Sequence, residues 1–355
     1  MIPCHCYESI LHMSTNANNR RTVLFILNYN GTKMTCDLLA SLRKIQIPYP
    51  VWVVDNGSDH DDSIEFQTVL PSVVIKRIPH NCGFAGGVNR AMAMASAEDY
   101  DYAYEMNNDT LAKDDFLTPC VEIMERQPDV DVVGSRTLTL DRQTGNFSIW
   151  GFLSDPKWAG KFRDGFAATN RVVGCGMLLR VSSFRTFGGL DERFFLYMEE
   201  SDYCFRLVRA GKKVGIAANS LILHQGKATN DGPSVRYYYA RNCPLFAWLH
   251  ATARMNGASS LLHDVIIRSI KDAIRGDSSG MSASGQGFWD AIRGKFGKRG
   301  RPFSAFFGCM AFVLLAPCFF VYSLAFILIS RTNLLLRRIK HKKGHPEIRV
   351  PNSRK

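Results

Sequence analysis

Between Thr22 and Asn107 the chain alternates short apolar runs with amphipathic segments, and this alternation constrains the fold more than any other feature. Thr22 to Leu27 is a compact β-branched and apolar run, the pattern of a strand buried on both faces. Thr32 has the character of an N-cap, and Met34, Leu38, Leu39 and Leu42 fall near helical spacing, which predicts a helix through about Ile45. Val51 to Val54 repeats the strand pattern, and Asp62 to Leu70 the helical one. Val73 to Ile78 reads as a third strand, the segment after Phe84 as a helix through Ala97, and Tyr102 to Met106 as a fourth strand. This succession predicts an α/β fold with a mostly parallel sheet, right-handed crossovers and helices on its faces.

The strands end in polar loops: Asn28-Tyr29-Asn30-Gly31, Asp55-Asn56-Gly57-Ser58, Asn81-Cys82-Gly83-Phe84 and Asn107-Asn108-Asp109-Thr110. Any one of these is an ordinary turn. On parallel strands they share one sheet edge, where open α/β sheets bind ligands. The last loop sets a carboxylate among carboxamides, a corner suited to a hard divalent cation that draws its other ligands from water and a diphosphate. Further on, Val172 to Val181 is expected to be a strand, Glu199 to Ala210 a helix, Val214 to Leu223 a strand ending at His224, and Arg236 to His250 a helix. Residues 277–287, rich in Ser and Gly, read as a linker.

The formal charge of +12 resides in the C-terminal tail. Residues 291–355 carry 14 Lys and Arg against one acid, Glu347, which leaves the first 290 residues close to neutral. That distribution points to an anionic lipid surface and away from a nucleic-acid partner. Within the tail, Pro302 to Ser330 holds no charged residue, and as a helix it would span about 43 Å, more than a ~30 Å hydrocarbon core needs. Basic clusters on both flanks and Pro317 near the middle favour a re-entrant or interfacial pair on the cytoplasmic side over a single span. A buried helix pair in a soluble dimer is the third reading, and the sequence does not set the oligomeric state. The ten cysteines have no metal-site or disulfide spacing and read as reduced cytosolic thiols. Residues 1–20 lack the pattern of a signal peptide and read as a disordered extension, with Met13 as an alternative start.

In order and spacing, these loops, with Gly188-Gly189-Leu190-Asp191-Glu192, Phe195-Leu196-Tyr197-Met198-Glu199-Glu200-Ser201-Asp202 and His224, resemble family 2 glycosyltransferases of the GT-A fold, especially the rhamnosyltransferase-like branch. The resemblance covers roughly residues 22–250. It implies a nucleoside-diphosphate sugar donor and inverting transfer to a glycan or lipid-linked acceptor in cell-surface polysaccharide synthesis, at the cytoplasmic face of the membrane. On the donor side it implies Asn28, Asn30, Asp55, Asn56, Asn81, Gly83, Gly87, Asn107 and Asn108. Asp109 and His224 match the metal positions, for Mg²⁺ or Mn²⁺, although Asn107 stands where the family pattern has a first carboxylate. Glu200 falls at the position of the base, with Glu199 and Asp202 as alternatives, and Asp191 and Glu192 match the acceptor side. The expected organisation is an extension (1–20), a GT-A domain (21–250), a helical segment and linker (251–290), and a membrane-associating region (291–355).

Two other classes fit less of the chain. A nucleotidyltransferase would want a basic, Gly-rich phosphate loop after the first strand, and Asn28 to Gly31 has no basic residue. A non-catalytic sugar-nucleotide-binding subunit is a further reading, which slow hydrolysis of a nucleotide sugar to free diphosphate would separate from an enzyme. No G-x-G-x-x-G follows the first strand, which argues against a dinucleotide enzyme.

Overall fold

The computed structural model describes residues 21–140, 147–149, 161–226, 232–250, 271–272 and 274–300. The chain divides into two units, Met1–Ala228 and Thr229–Lys355. The division falls ahead of the helix that the sequence assigns to the end of the GT-A domain.

The first unit begins as the alternation predicts: β1 Thr22–Asn28, α1 Thr32–Lys44, β2 Val51–Asp55, α2 Ser63–Val69, β3 Val74–Arg77, α3 Gly83–Ala97 and β4 Tyr102–Asn107. Thr32 is the first helical residue rather than the cap; Gly31 caps α1, and the Thr32 hydroxyl donates to Asp62 across the loop at 2.5 Å. Then follow β5 Thr110–Ala112, α4 Thr118–Arg126, β6 Val130–Leu140, β7 Phe147–Ile149, β8 Phe166–Thr169, β9 Gly176–Arg180, α5 Val181–Phe187, α6 Glu199–Arg209 and β10 Lys213–His224. The strand expected from Val172 is shorter than its apolar run and starts at Gly176.

Among the described residues the strands form one sheet in the order β3-β2-β1-β4-β9-β6-β10-β5, with β7 beside β6 and β8 beside β10. The expectation of a mostly parallel sheet holds for β3-β2-β1-β4 only. Beyond β4, β9 runs antiparallel to both its neighbours, and β5 and β8 are antiparallel to β10; only β6 and β10 are parallel. Parallel neighbours need a long crossover, normally a helix, and the second half of this unit has fewer helices per strand. Apolar side chains of α1 and α4 fill one face of the sheet, and those of α3, α5 and α6 the other.

The second unit contains α7 Pro233–Leu249 and α8 Ser278–Ile292. Residues 277–287 are therefore not a linker. Asp277 caps α8 by accepting from the Gly280 amide, and Gly287 lies so close to α7 that a Cβ would stand 2.4 Å from the Tyr237 carbonyl oxygen. Small residues with poor helix propensity are here the condition for close helix packing, so tertiary contact overrides the local signal. Among the described residues no helix is long and apolar enough to cross a membrane. The segments 1–20 and 302–330 lie outside the described residues.

Candidate active site

The C-terminal ends of β1, β2 and β4 deliver the predicted loops to one edge, where two different polar clusters form. The first is centred on Asp55. Its carboxylate accepts from Asn28 Nδ2 at 3.1 Å, from the Ser58 amide at 3.3 Å and from the Ser58 hydroxyl, and Arg77 Nε stands 3.6 Å away. Thr35, on α1, donates to Asn28 Oδ1 at 2.9 Å, and Asn108 Nδ2 lies 3.3 Å from both Asn28 Oδ1 and Thr35 Oγ1. Asn28, Asp55 and Asn108 are all buried, with Asn28 hydrogen-bonded to both of the others. Asn56 is also buried; it donates to the Gly83 carbonyl at 2.9 Å and accepts from the Cys82 amide at 3.1 Å, fastening β2 to the start of α3. Asn81 Oδ1 accepts from the Gly83 amide at 2.8 Å. Gly87 is packing: a Cβ there would meet Leu27 Cδ1 at 2.6 Å. Among the donor-side candidates, Asn30, Asn81 and Asn107 keep surface exposed.

The second cluster is acidic. Pairing of β5 with β10 sets His224 opposite Thr110, and the Gln225 amide donates to the Asp109 carbonyl at 2.8 Å. His224 Nε2 consequently stands 3.3 Å from Asp109 Oδ1, both side chains being buried. Helix α6 supplies Glu199 and Glu200 from its first turn, where the helix dipole favours acids. The segment before it is strained, with positive φ at Phe195, Tyr197 and Met198. It is held by the Phe195 carbonyl, which accepts from the Phe84 amide at 2.7 Å. Gly83 makes this clamp possible, since a Cβ there would lie 2.3 Å from that oxygen.

The three candidate bases differ. Asp202 is buried and receives Arg206 Nε at 2.9 Å, while Arg206 also donates to the Phe187 and Gly189 carbonyls. Glu199 is buried. Glu200 is half-buried, and desolvation pushes its carboxyl above the ordinary range against the opposing pull of backbone hydrogen bonding and Arg171. Asp191 pairs with Arg193 at 2.6 Å; burial pushes its carboxyl up, but the Arg193 hydrogen bonds together outweigh that and hold it low. Glu192 pairs with Arg90 at 3.2 Å and accepts from Asn89 at 3.0 Å.

Glu105 is the group that sequence reasoning missed, because the run Tyr102 to Met106 reads as apolar. The signal was present: a lone acid inside a strand that is otherwise apolar and aromatic. It points to the face of Ala103, away from Tyr104 and Met106, and is fully buried. Burial pushes its carboxyl well above the ordinary range, and Glu200, Glu199 and Asp109 push it further.

Residues 23–188 match the family described as Glycosyl transferase family 2. Two curated relatives, from Mycobacterium tuberculosis strains CDC 1551 / Oshkosh and ATCC 25618 / H37Rv, are each an N-acetylglucosaminyl-diphospho-decaprenol L-rhamnosyltransferase. Each is 25% identical to this chain over 226 residues, which cover 55% of this chain and 73% of the relative. Among solved structures, S. aureus TarS 1-349 superposes with a TM-score of 0.51 at 13% identity, over 77% of this chain and 81% of that one. The mixed sheet with its flanking helices is consistent with a GT-A fold.

Proposed function

We propose that this glycosyltransferase, whose residues 23–188 match glycosyl transferase family 2, transfers a sugar, with inversion, from a nucleoside-diphosphate donor to a hydroxyl of a glycan or lipid-linked acceptor. One observation supports this placing of the site: Asn107, two residues before Asp109, donates to the Gly174 carbonyl at 3.2 Å, and a Cβ on Gly174 would stand 3.4 Å from Glu200 Cγ. A short chain of groups thereby joins Glu200 to the loop that carries Asp109, itself 3.3 Å from His224.

Glu200 acts as the base. Its partial exposure favours it over buried Glu199, and over Asp202, whose carboxylate is tied to Arg206. Glu200 takes the proton of the acceptor hydroxyl as the oxygen bonds to the anomeric carbon. The bond from that carbon to the phosphate oxygen breaks in the same step, and the nucleoside diphosphate leaves with the electron pair. Asn30, Asn81 and Asn107 contact the donor, braced by Asn28, Asp55, Asn56 and Asn108, while Asp191 and Glu192 flank the acceptor.

Asp109 and His224 fit a divalent ion, Mg²⁺ or Mn²⁺. Their 3.3 Å separation compares with about 3 Å between adjacent ligands of an octahedral ion with ~2.1 Å bonds. Among the described residues no group of three or more His, Cys, Asp or Glu could hold an ion alone, so a bound ion would draw its remaining ligands from diphosphate and water. When bound, the ion supplies neutralisation of the charge that builds on the leaving diphosphate.

The names of the mycobacterial relatives support rhamnose as the first donor sugar to test and a lipid-linked diphosphate acceptor. The basic region 291–355 would then hold the enzyme at an anionic membrane surface on the cytoplasmic side. A thermal-shift screen of nucleotide sugars with Mg²⁺ and Mn²⁺ tests the donor: stabilisation by a nucleoside-diphosphate rhamnose is the expected result, and stabilisation only by other nucleotide sugars overturns that choice.

A further inference from the structure

Glu105 occupies a position where a strand interior normally has an aliphatic side chain. In register it lies between Phe25 of β1 and Met177 of β9, with no surface exposed. Its Oε2 makes no hydrogen bond among the described residues. Its Oε1 does have a partner. In the amide orientation that satisfies both of its ends, Asn107 donates to Glu105 Oε1 and to the Gly174 carbonyl, each at 3.2 Å. Gly174 in turn faces the base, since a Cβ on it would stand 3.4 Å from Glu200 Cγ. A line of neighbouring groups thus runs from Glu105 through Asn107 and Gly174 to Glu200.

We propose that Glu105 is a positioning residue for the transfer reaction: its carboxyl fixes the Asn107 side chain and, through it, the Gly174 segment against which Glu200 lies. The inference rests on this sheet edge being the transfer site. The titratable groups around Glu105 are Glu199 and Glu200 on α6, Asp109 after β4 and Cys175 before β9. The three acids and the burial all favour the protonated form of Glu105, and the Cys175 thiol is itself pushed up to about 12 by burial. Glu105 therefore works as a neutral hydrogen-bonding group. An amide can replace it, and a hydrocarbon cannot.

That contrast defines the test, carried out on the full chain. Glu105→Gln, Glu105→Leu and Glu105→Met are compared with wild type for melting temperature, donor KM and kcat. The assay follows release of nucleoside diphosphate, with Mg²⁺, from the nucleotide sugar that wild type turns over, beginning with a nucleoside-diphosphate rhamnose. Glu105→Gln should keep kcat within about twofold. Glu105→Leu should lose about tenfold to a hundredfold in kcat, the scale of a small misplacement of reacting groups. Its donor KM should rise by less than kcat falls, since Asn107 contacts the donor, and its melting temperature should be equal or higher. Glu105→Met, unbranched and of similar length, decides the matter if the Leu variant does not fold. An apolar variant with wild-type kcat overturns the proposal, and so does a Gln variant as impaired as the apolar ones. Glu200→Gln is measured alongside: full activity there sinks the base assignment, while the amide-versus-hydrocarbon comparison at Glu105 stands on its own readings.

Discussion

Two buried polar clusters sit side by side on the same sheet edge, and they are built on opposite terms. Around Asp55 every carboxylate and amide contact is a donor meeting an acceptor: Asn28, Ser58, Thr35 and Asn108 close a network that joins β1, β2, α1 and the loop after β4. Around Glu105 one carboxyl oxygen meets the Asn107 amide, the other makes no hydrogen bond among the described residues, and burial with the charges of three acids raises the affinity of Glu105 for its proton. The first arrangement stabilises. The second costs stability, and costs of this kind collect where protons are moved. Under the proposed function, the contrast separates scaffold from chemistry among residues whose types alone look alike.

The sharpest way to break this contrast is Glu200→Gln. Loss of a general base predicts a fall of about 10²- to 10⁴-fold in kcat, with donor binding by calorimetry unchanged. A variant that keeps its activity would move the chemistry elsewhere. Asp109→Ala should next abolish the Mg²⁺-dependent part of donor affinity in the same calorimetric assay; identical titrations with and without Mg²⁺ in wild type would remove the ion from the account.

On the scaffold side, Asp55→Ala strands Asn28 and Ser58 without their acceptor. Leaving buried donors unsatisfied predicts about 1–3 kcal/mol of lost stability in denaturant unfolding. If the variant unfolds like wild type, the network is not a brace.

The pH dependence sharpens the other side. The Glu200 carboxyl is raised, and the base must be ionised, so kcat/KM should fall as pH drops through a value above the ordinary glutamate pKa of about 4.3. An acid limb at or below that value would contradict the crowding. The smallest effect expected is on stability. The folded-state pKa of Glu105 lies above its unfolded value, so its penalty is absent below the unfolded pKa and grows as pH rises through the range above it. Glu105→Gln carries no such slope, and its melting temperature should gain on wild type as pH increases. Parallel curves would show that Glu105 titrates normally.

Much of this was legible from local pattern. The β1-to-β4 alternation, the polar loops that follow β1 to β4, and the acids at the start of α6 are encoded by residues within a few positions of each other. The Ser/Gly-rich stretch was misleading for a physical reason: the small residues of α8 are poor helix formers alone, and they form a helix because α7 lies against them. The mixed second half of the sheet escaped prediction because strand direction there depends on β9 entering between β4 and β6.

Strand periodicity and loop composition are local properties, and they fix the set of chemical groups and the edge on which these gather. Which groups meet depends on pairing between distant segments. Asp109 and His224 are brought to 3.3 Å by the pairing of β5 with β10, a register that neither segment encodes alone. Asp202 is withdrawn by Arg206, Asn28 and Asn108 turn inward to Thr35, and Glu105 is closed in among acids from α6. Burial and proximity set proton affinity, and both are properties of contacts between distant parts of the chain.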